Sequence, residues 1–194
     1  MNGTLVVFEG LDGVGKSTAI RAVEKSLRES GCKVVMYSGY NSTLGVETIR
    51  RALISDNFCQ TAETLLFFAS HVEHINKTIK PALEQGYIVL MDRYYYSTLA
   101  YQGSYDKCGA VYDVVRSELP DPDLVFYLKA PSEVRKQRLL AYRDFDEIEA
   151  RDAEYFDRVE RNYDNLAKEH KFIEIDASQS PADVLAECMA TLSS

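Results

Sequence analysis

The sequence predicts an α/β protein with three layers, α/β/α, built on a five-stranded parallel sheet. Three observations carry this. Five short apolar runs recur along the 194 residues, helical periodicity fills the intervals between them, and a glycine-rich turn follows the first run. Runs that are apolar on both faces are what parallel strands covered by helices require. Alternating strand and helix implies right-handed crossovers, which place helices on both sides of the sheet.

The first run, Thr4–Phe8, is the opening strand. It reaches Glu9 without a basic leader, so no signal peptide is expected. The other four are Lys33–Tyr37, Tyr87–Met91, Leu124–Leu128 and Phe172–Ile175. Between the second and third, Ala62, Leu65, Leu66, Ala69, Val72, Ile75, Ile79 and Leu83 follow a spacing of three or four residues, which predicts one long helix with an apolar face. Asp121-Pro122 closes the loop into the fourth strand, because proline pushes the residue before it out of helical backbone. Between the fourth and fifth strands, Arg135 to Arg161 is dense in both signs of charge, and Phe156, Val159, Tyr163 and Leu166 give its later half the stripe of a packed helix. No repeat or linker interrupts the chain, so residues 1–194 are expected to form one domain.

A hydrophobic content of 46% at this length supports a single substantial core. The net charge of -8 argues against a broad basic surface for nucleic acid or anionic membrane. No apolar run approaches the roughly 20 residues that span a bilayer. Cys32, Cys59, Cys108 and Cys188 are scattered, as reduced thiols of a cytoplasmic protein would be.

Directly after the first strand, Gly10-Leu11-Asp12-Gly13-Val14-Gly15-Lys16-Ser17 fits G-x-x-x-x-G-K-[ST], and Thr18 extends it into a helical pattern. Glycines let the backbone turn its N–H groups inward around phosphate oxygens. Lys16 supplies a cation for the β- and γ-phosphates, and Ser17 a hydroxyl for Mg²⁺. This is the phosphate loop of P-loop NTP hydrolase-like folds. A guanine-reading Asn-Lys-x-Asp is missing; Asn76-Lys77-Thr78-Ile79 lacks the acid.

The third strand runs into Asp92-Arg93-Tyr94-Tyr95-Tyr96-Ser97-Thr98-Leu99-Ala100-Tyr101-Gln102-Gly103. Ligands of open α/β sheets bind outside the carboxyl ends of strands. An arginine there can hold a phosphate in a fixed fork, and an aspartate can hold Mg²⁺ through water. The plainer alternative is an ion pair that caps the next helix.

These residues, with Asp12, Pro120-Asp121-Pro122-Asp123-Leu124-Val125 and Asp176-Ala177-Ser178, resemble the thymidylate kinase family in order over nearly the whole chain. The resemblance implies ATP-dependent phosphorylation of dTMP to dTDP with Mg²⁺. Gly10, Gly13, Gly15, Lys16, Ser17, Thr18, Arg138 and Ala177 would surround ATP, with Arg138 near the adenine. Ser17 and Asp92 would hold the metal. Asp12, Phe67, His71, Arg93, Ser97, Tyr101 and Gln102 would form the acceptor site, with Phe67 stacked on the pyrimidine. Taken alone, Phe67 on an apolar helix face is an ordinary core residue. Lys16, Asp12, Arg93 and the lid arginines Arg143 and Arg151 would serve the transfer step, with a mobile lid over residues 138–152. A homodimer through Ala62–Leu83 is implied as well.

Three segments depart from the family pattern. The loop Tyr37-Ser38-Gly39-Tyr40-Asn41-Ser42-Thr43 lacks the arginine expected after the second strand. His71 stands where the family tends to place a base-reading arginine, and Glu147 stands where many bacterial members have a lid arginine. A neutral imidazole offers one donor, not a charged fork. Gly13 also lacks the arginine that some members carry after the loop aspartate. Two alternatives therefore stay open. One is a kinase of the same fold with another acceptor, either another deoxynucleoside monophosphate or a deoxynucleoside with Glu9 or Asp92 as base. The other is an ATP-binding module without turnover.

Overall fold

The computed structural model describes residues 3–38, 44–55, 58–103, 105–141 and 153–193. Among them, β1 (Thr4–Glu9), β2 (Val34–Ser38), β3 (Ile88–Asp92), β4 (Leu124–Lys129) and β5 (Ile173–Asp176) form one sheet in the order β2-β3-β1-β4-β5. Every pairing is parallel. Each strand lies within one residue of its expected run. The reason is burial on both faces: Leu5 to Glu9 of β1 are all buried, and so are Val89 to Met91 of β3.

Helices surround the sheet as the three-layer fold requires. The first, α1 (Lys16–Glu29), turns Ala19, Ile20, Val23 and Leu27 into the core. Then come α2 (Leu44–Ser55), α3 (Gln60–His74), α4 (Lys80–Glu84), α5 (Tyr95–Gln102) and α6 (Tyr105–Val115). After β4 follow α7 (Ser132–Leu140), α8 (Ala153–His170) and α9 (Pro181–Leu192). Helix α1 packs on α9, while α5 packs on α3 and α8.

The single helix expected over Ala62–Leu83 is interrupted. Ile75–Ile79 forms a wide π-helical turn between α3 and α4. Pro81 supplies a physical cause, because a proline ring has no N–H and clashes with the carbonyl four residues earlier, here that of Lys77. Ile75 and Ile79 nevertheless stay fully buried. No helix among the described residues is long and apolar enough to cross a membrane.

The topology sets the location of the site. From β1 the chain crosses to one side of the sheet, to β2, and from β4 it crosses to the other, to β5. Loops leaving the carboxyl ends of β1, β3 and β4 therefore converge on one crevice.

Candidate active site

The loop after β1 turns at Gly10, Gly13 and Gly15, all with positive φ. Gly15 precedes α1, and no side chain caps that helix, which leaves its first N–H groups to the loop interior. Lys16 folds back into the loop, where its Nζ donates to the Gly10 carbonyl at 3.0 Å and the Leu11 carbonyl at 2.9 Å. Burial, reinforced by the charge of Arg93, lowers its pKa to about 8.

Parallel pairing of Phe8 with Asp92 brings the end of β3 beside the loop. Ser17 Oγ donates to Asp92 Oδ2 at 3.0 Å, joining residues far apart in the chain. The next residue, Arg93, has φ 69°, a left-handed conformation that costs an L-residue about 1–2 kcal/mol. Its N–H donates to the Phe8 carbonyl at 3.0 Å. Its guanidinium donates from Nη2 to Asp12 Oδ1 at 2.8 Å and to Tyr101 OH at 3.3 Å. From Nη1 it donates to Ser97 Oγ and Tyr163 OH, each at 3.1 Å.

Behind this arginine lies Glu9, with no exposed surface. Its carboxylate accepts from the Tyr94 N–H at 2.8 Å, Ser97 Oγ at 2.7 Å and Tyr163 OH at 3.0 Å. Burial raises its pKa, and Arg93 together with these hydrogen bonds opposes the rise.

Two cavities open at the crevice. One, of about 790 Å³, is lined by Phe67, Ser97, Tyr101 and Gln102 together with Gln60, Glu63 and Thr98. The other, of about 580 Å³, is lined by Gly13 to Thr18, Asp92, Arg138, Ala177 and Val184. Among the described residues Asp12 and Arg93 line both, so they form the common wall. Arg138 reaches the loop from α7 by donating to the Val14 carbonyl at 2.8 Å.

Gly10 and His71 are the expected site residues that line neither cavity. Gly10 passes over β4 so closely that a Cβ would lie 2.4 Å from the Leu128 carbonyl oxygen. His71 is 2% exposed, with Nε2 3.1 Å from Thr98 Oγ1, and Thr98 is the residue that faces the cavity. Burial pushes the His71 pKa down to about 3, so the ring is neutral. His71, expected at the acceptor, is thus a buried, uncharged ring that does not line the cavity in this structure and contacts Thr98, which does. Arg143 and Arg151 lie outside the described residues, as does the loop beyond Ser38 through Thr43.

Other lining residues were missed in the sequence. Gln60 and Glu63 share one helical face of α3 with the expected Phe67, and Tyr155, Arg158 and Asn162 share one of α8. Both sets follow an i, i+3, i+7 spacing, the signal that could have exposed them.

The family model described as thymidylate kinase matches residues 8–188. The thymidylate kinase of Cupriavidus metallidurans is 36% identical over 202 positions, spanning 99% of this chain and 100% of its own. That of Fervidobacterium nodosum is 33% identical over 187, spanning 94% of each. That of Francisella tularensis is 34% identical over 194, spanning 95% and 92%. Agreement over nearly the full length, on a five-stranded parallel sheet with a glycine-rich loop at its central strand, means that this chain belongs to the thymidylate kinase family of phosphotransferases.

Proposed function

We propose that the chain transfers the γ-phosphoryl group of ATP to dTMP, yielding dTDP and ADP. The observation that carries this is the shared wall: two cavities of nucleotide size meet only at Asp12 and Arg93 among the described residues. ATP takes the loop cavity, with its phosphates on the loop N–H groups and Lys16, and with Arg138 and Ala177 against the adenosine. dTMP takes the other, with its base on Phe67, where stacking contributes about 1–3 kcal/mol, and with Ser97, Tyr101 and Gln102 around its sugar and phosphate. Arg93 receives the acceptor phosphate.

Ser17 Oγ and Asp92 Oδ2 present two hard oxygen donors side by side, and no group of three or more metal-ligating side chains is present among the described residues. That set suits Mg²⁺, which binds through a few protein oxygens plus water and substrate phosphate. When bound, the ion supplies charge neutralisation at the phosphates.

A phosphate acceptor is already anionic, so no general base is required. Glu9 lines neither cavity, which speaks against a hydroxyl acceptor activated by that carboxylate. The proposal includes a single domain with a lid over residues 138–152 that brings Arg143 and Arg151 to the transferring group. It also includes a cytoplasmic homodimer joined through Ala62–Leu83, a stretch in which Leu65 is exposed.

The test is ADP formation with Mg-ATP against dTMP, dUMP, dCMP, dGMP and their nucleosides, with Lys16→Ala as the blank. dTMP is expected to lead dCMP and dGMP by about 10²-fold in kcat/KM. Preference for another monophosphate would keep the transfer chemistry and overturn the acceptor.

Lys16 gives a second expected result. Burial lowers the Lys16 pKa to about 8 in the free protein, whereas a polyphosphate beside it favours the protonated form. ATP affinity should be level below that pH and should fall by about tenfold per unit well above it, with proton uptake on binding. Calorimetry in buffers of different ionisation enthalpy measures both; affinity unchanged from pH 7 to roughly 9.5 would remove Lys16 from phosphate binding.

A further inference from the structure

We propose that Glu9 is a positioning residue for phosphoryl transfer: through the hydroxyls of Ser97 and Tyr163 it fixes one side of the Arg93 fork at the wall between the cavities. This rests on the reading of Arg93 as the arm that receives the acceptor phosphate.

The direction of each hydrogen bond follows from donor counting. An ionised carboxylate only accepts, a guanidinium only donates, and each hydroxyl owns a single proton. The Ser97 and Tyr163 protons lie among Glu9 Oε2 and one another, at separations of 2.7, 3.0 and 2.8 Å. None is left to point at Arg93. Both oxygens therefore turn lone pairs toward Nη1, which donates to each at 3.1 Å. Glu9 itself has no exposed surface and lines neither cavity, so it acts through these hydroxyls and through its direct attraction for the Arg93 charge, not by touching a ligand.

The other side of the fork is built differently. Nη2 binds Asp12, whose side chain is 53% exposed, and that partner can be exchanged for a phosphate at little desolvation cost. Arg93 thus has one anchored side and one exchangeable side. The anchor also offsets the left-handed backbone at this residue, which persists only where its surroundings over-determine it.

Glu9→Gln tests this at nearly constant volume. The amide keeps one acceptor oxygen, which the fixed Tyr94 N–H claims, so its NH2 faces Ser97 and Tyr163 and turns the hydroxyl protons toward Nη1. Turnover of dTMP should fall about 10²-fold, the cost of a misplaced reacting group, with KM for ATP unchanged. Tyr163→Phe and Ser97→Ala should lower kcat by smaller factors, and Tyr163→Phe, at a residue that lines neither cavity, should add nothing on top of Glu9→Gln. Native kcat in Glu9→Gln, a KM for ATP that rises in step with the loss of kcat, or full additivity with Tyr163→Phe would overturn the proposal. Should Glu9→Gln not fold, the two hydroxyl variants carry the same readouts.

A measurement without turnover separates this inference from the proposed function. Arg93 Nη–H resonances should show restrained rotation in the native chain and free rotation in Glu9→Gln and in the combined Ser97→Ala, Tyr163→Phe variant. Restraint that survives in those variants sinks the role of Glu9. A native chain that restrains Arg93 yet phosphorylates no monophosphate counts against the proposed function alone.

Discussion

Lysine in place of Arg93 is expected to lower kcat/KM for dTMP by about 10³-fold while ATP binding changes little. The guanidinium reaches Ser97 and Tyr163 from one nitrogen and Asp12 and Tyr101 from the other. A lysine ammonium is a single point donor on a flexible stem, so it can serve the hydroxyls or reach a phosphate, not both. Losing one preorganised donor to transition-state charge typically costs about 10²–10³ in rate, and loss of the planar fork adds misorientation. Lys16, Ser17 and Asp92 are untouched, so apart from Arg93 at the shared wall the loop cavity keeps its lining. Steady-state kinetics with dTMP varied at saturating ATP measure this. A lysine variant within about tenfold of native would remove Arg93 from the transfer step.

Alanine at Gly10 should have the largest effect on stability, a loss of about 3–5 kcal/mol. Two causes add. The backbone sits at φ 137°, where an L side chain is strained in any surroundings. The added Cβ would also lie 2.4 Å from the Leu128 carbonyl oxygen, a backbone atom fixed in the central sheet beside β1. Neither neighbour can yield without opening the pairing of β1 and β4. Gly31 provides the control, since it has φ 82° but nothing within 4 Å of an added Cβ. Gly31→Ala should therefore cost only the conformational part, about 1 kcal/mol. Urea unfolding of both variants decides the matter. Equal midpoints would mean that the close approach over β4 contributes nothing.

The strands were legible in the sequence because burial on both faces leaves runs such as Leu5-Val6-Val7-Phe8 with no polar choice. The phosphate loop was legible because its chemistry depends on consecutive residues. Phe67, Ser97, Tyr101 and Gln102 came from resemblance, and the structure places all of them around one cavity. The assembly behind Arg93 was not legible. Tyr163 lies on the apolar stripe of α8, and its ring does pack in the core, but its hydroxyl reaches Glu9 and Ser97 from the far side of the chain. A hydrophobic pattern records the ring and is blind to the hydroxyl. His71 came from the same resemblance, and only packing shows that its ring is buried beside Thr98, which lines the cavity. Gly13 gains a local explanation as well. A Cβ there would lie 2.7 Å from the Arg135 carbonyl oxygen, so α7 occupies the space that a side chain after Asp12 needs.

Helices keep phase, each residue advancing about 100° around the axis. The wide turn at Ile75–Ile79 resets that phase partway along the rod that runs from α3 into α4. Before it, Gln60, Glu63 and Phe67 face the cavity; after it, Ala82 and Leu83 face the core. Two chains that differed only by one residue inside this turn would show different faces to the cavity, even with every side chain on either side unchanged. What the acceptor pocket inherits at this point is therefore a length, set by residues that never touch the ligand.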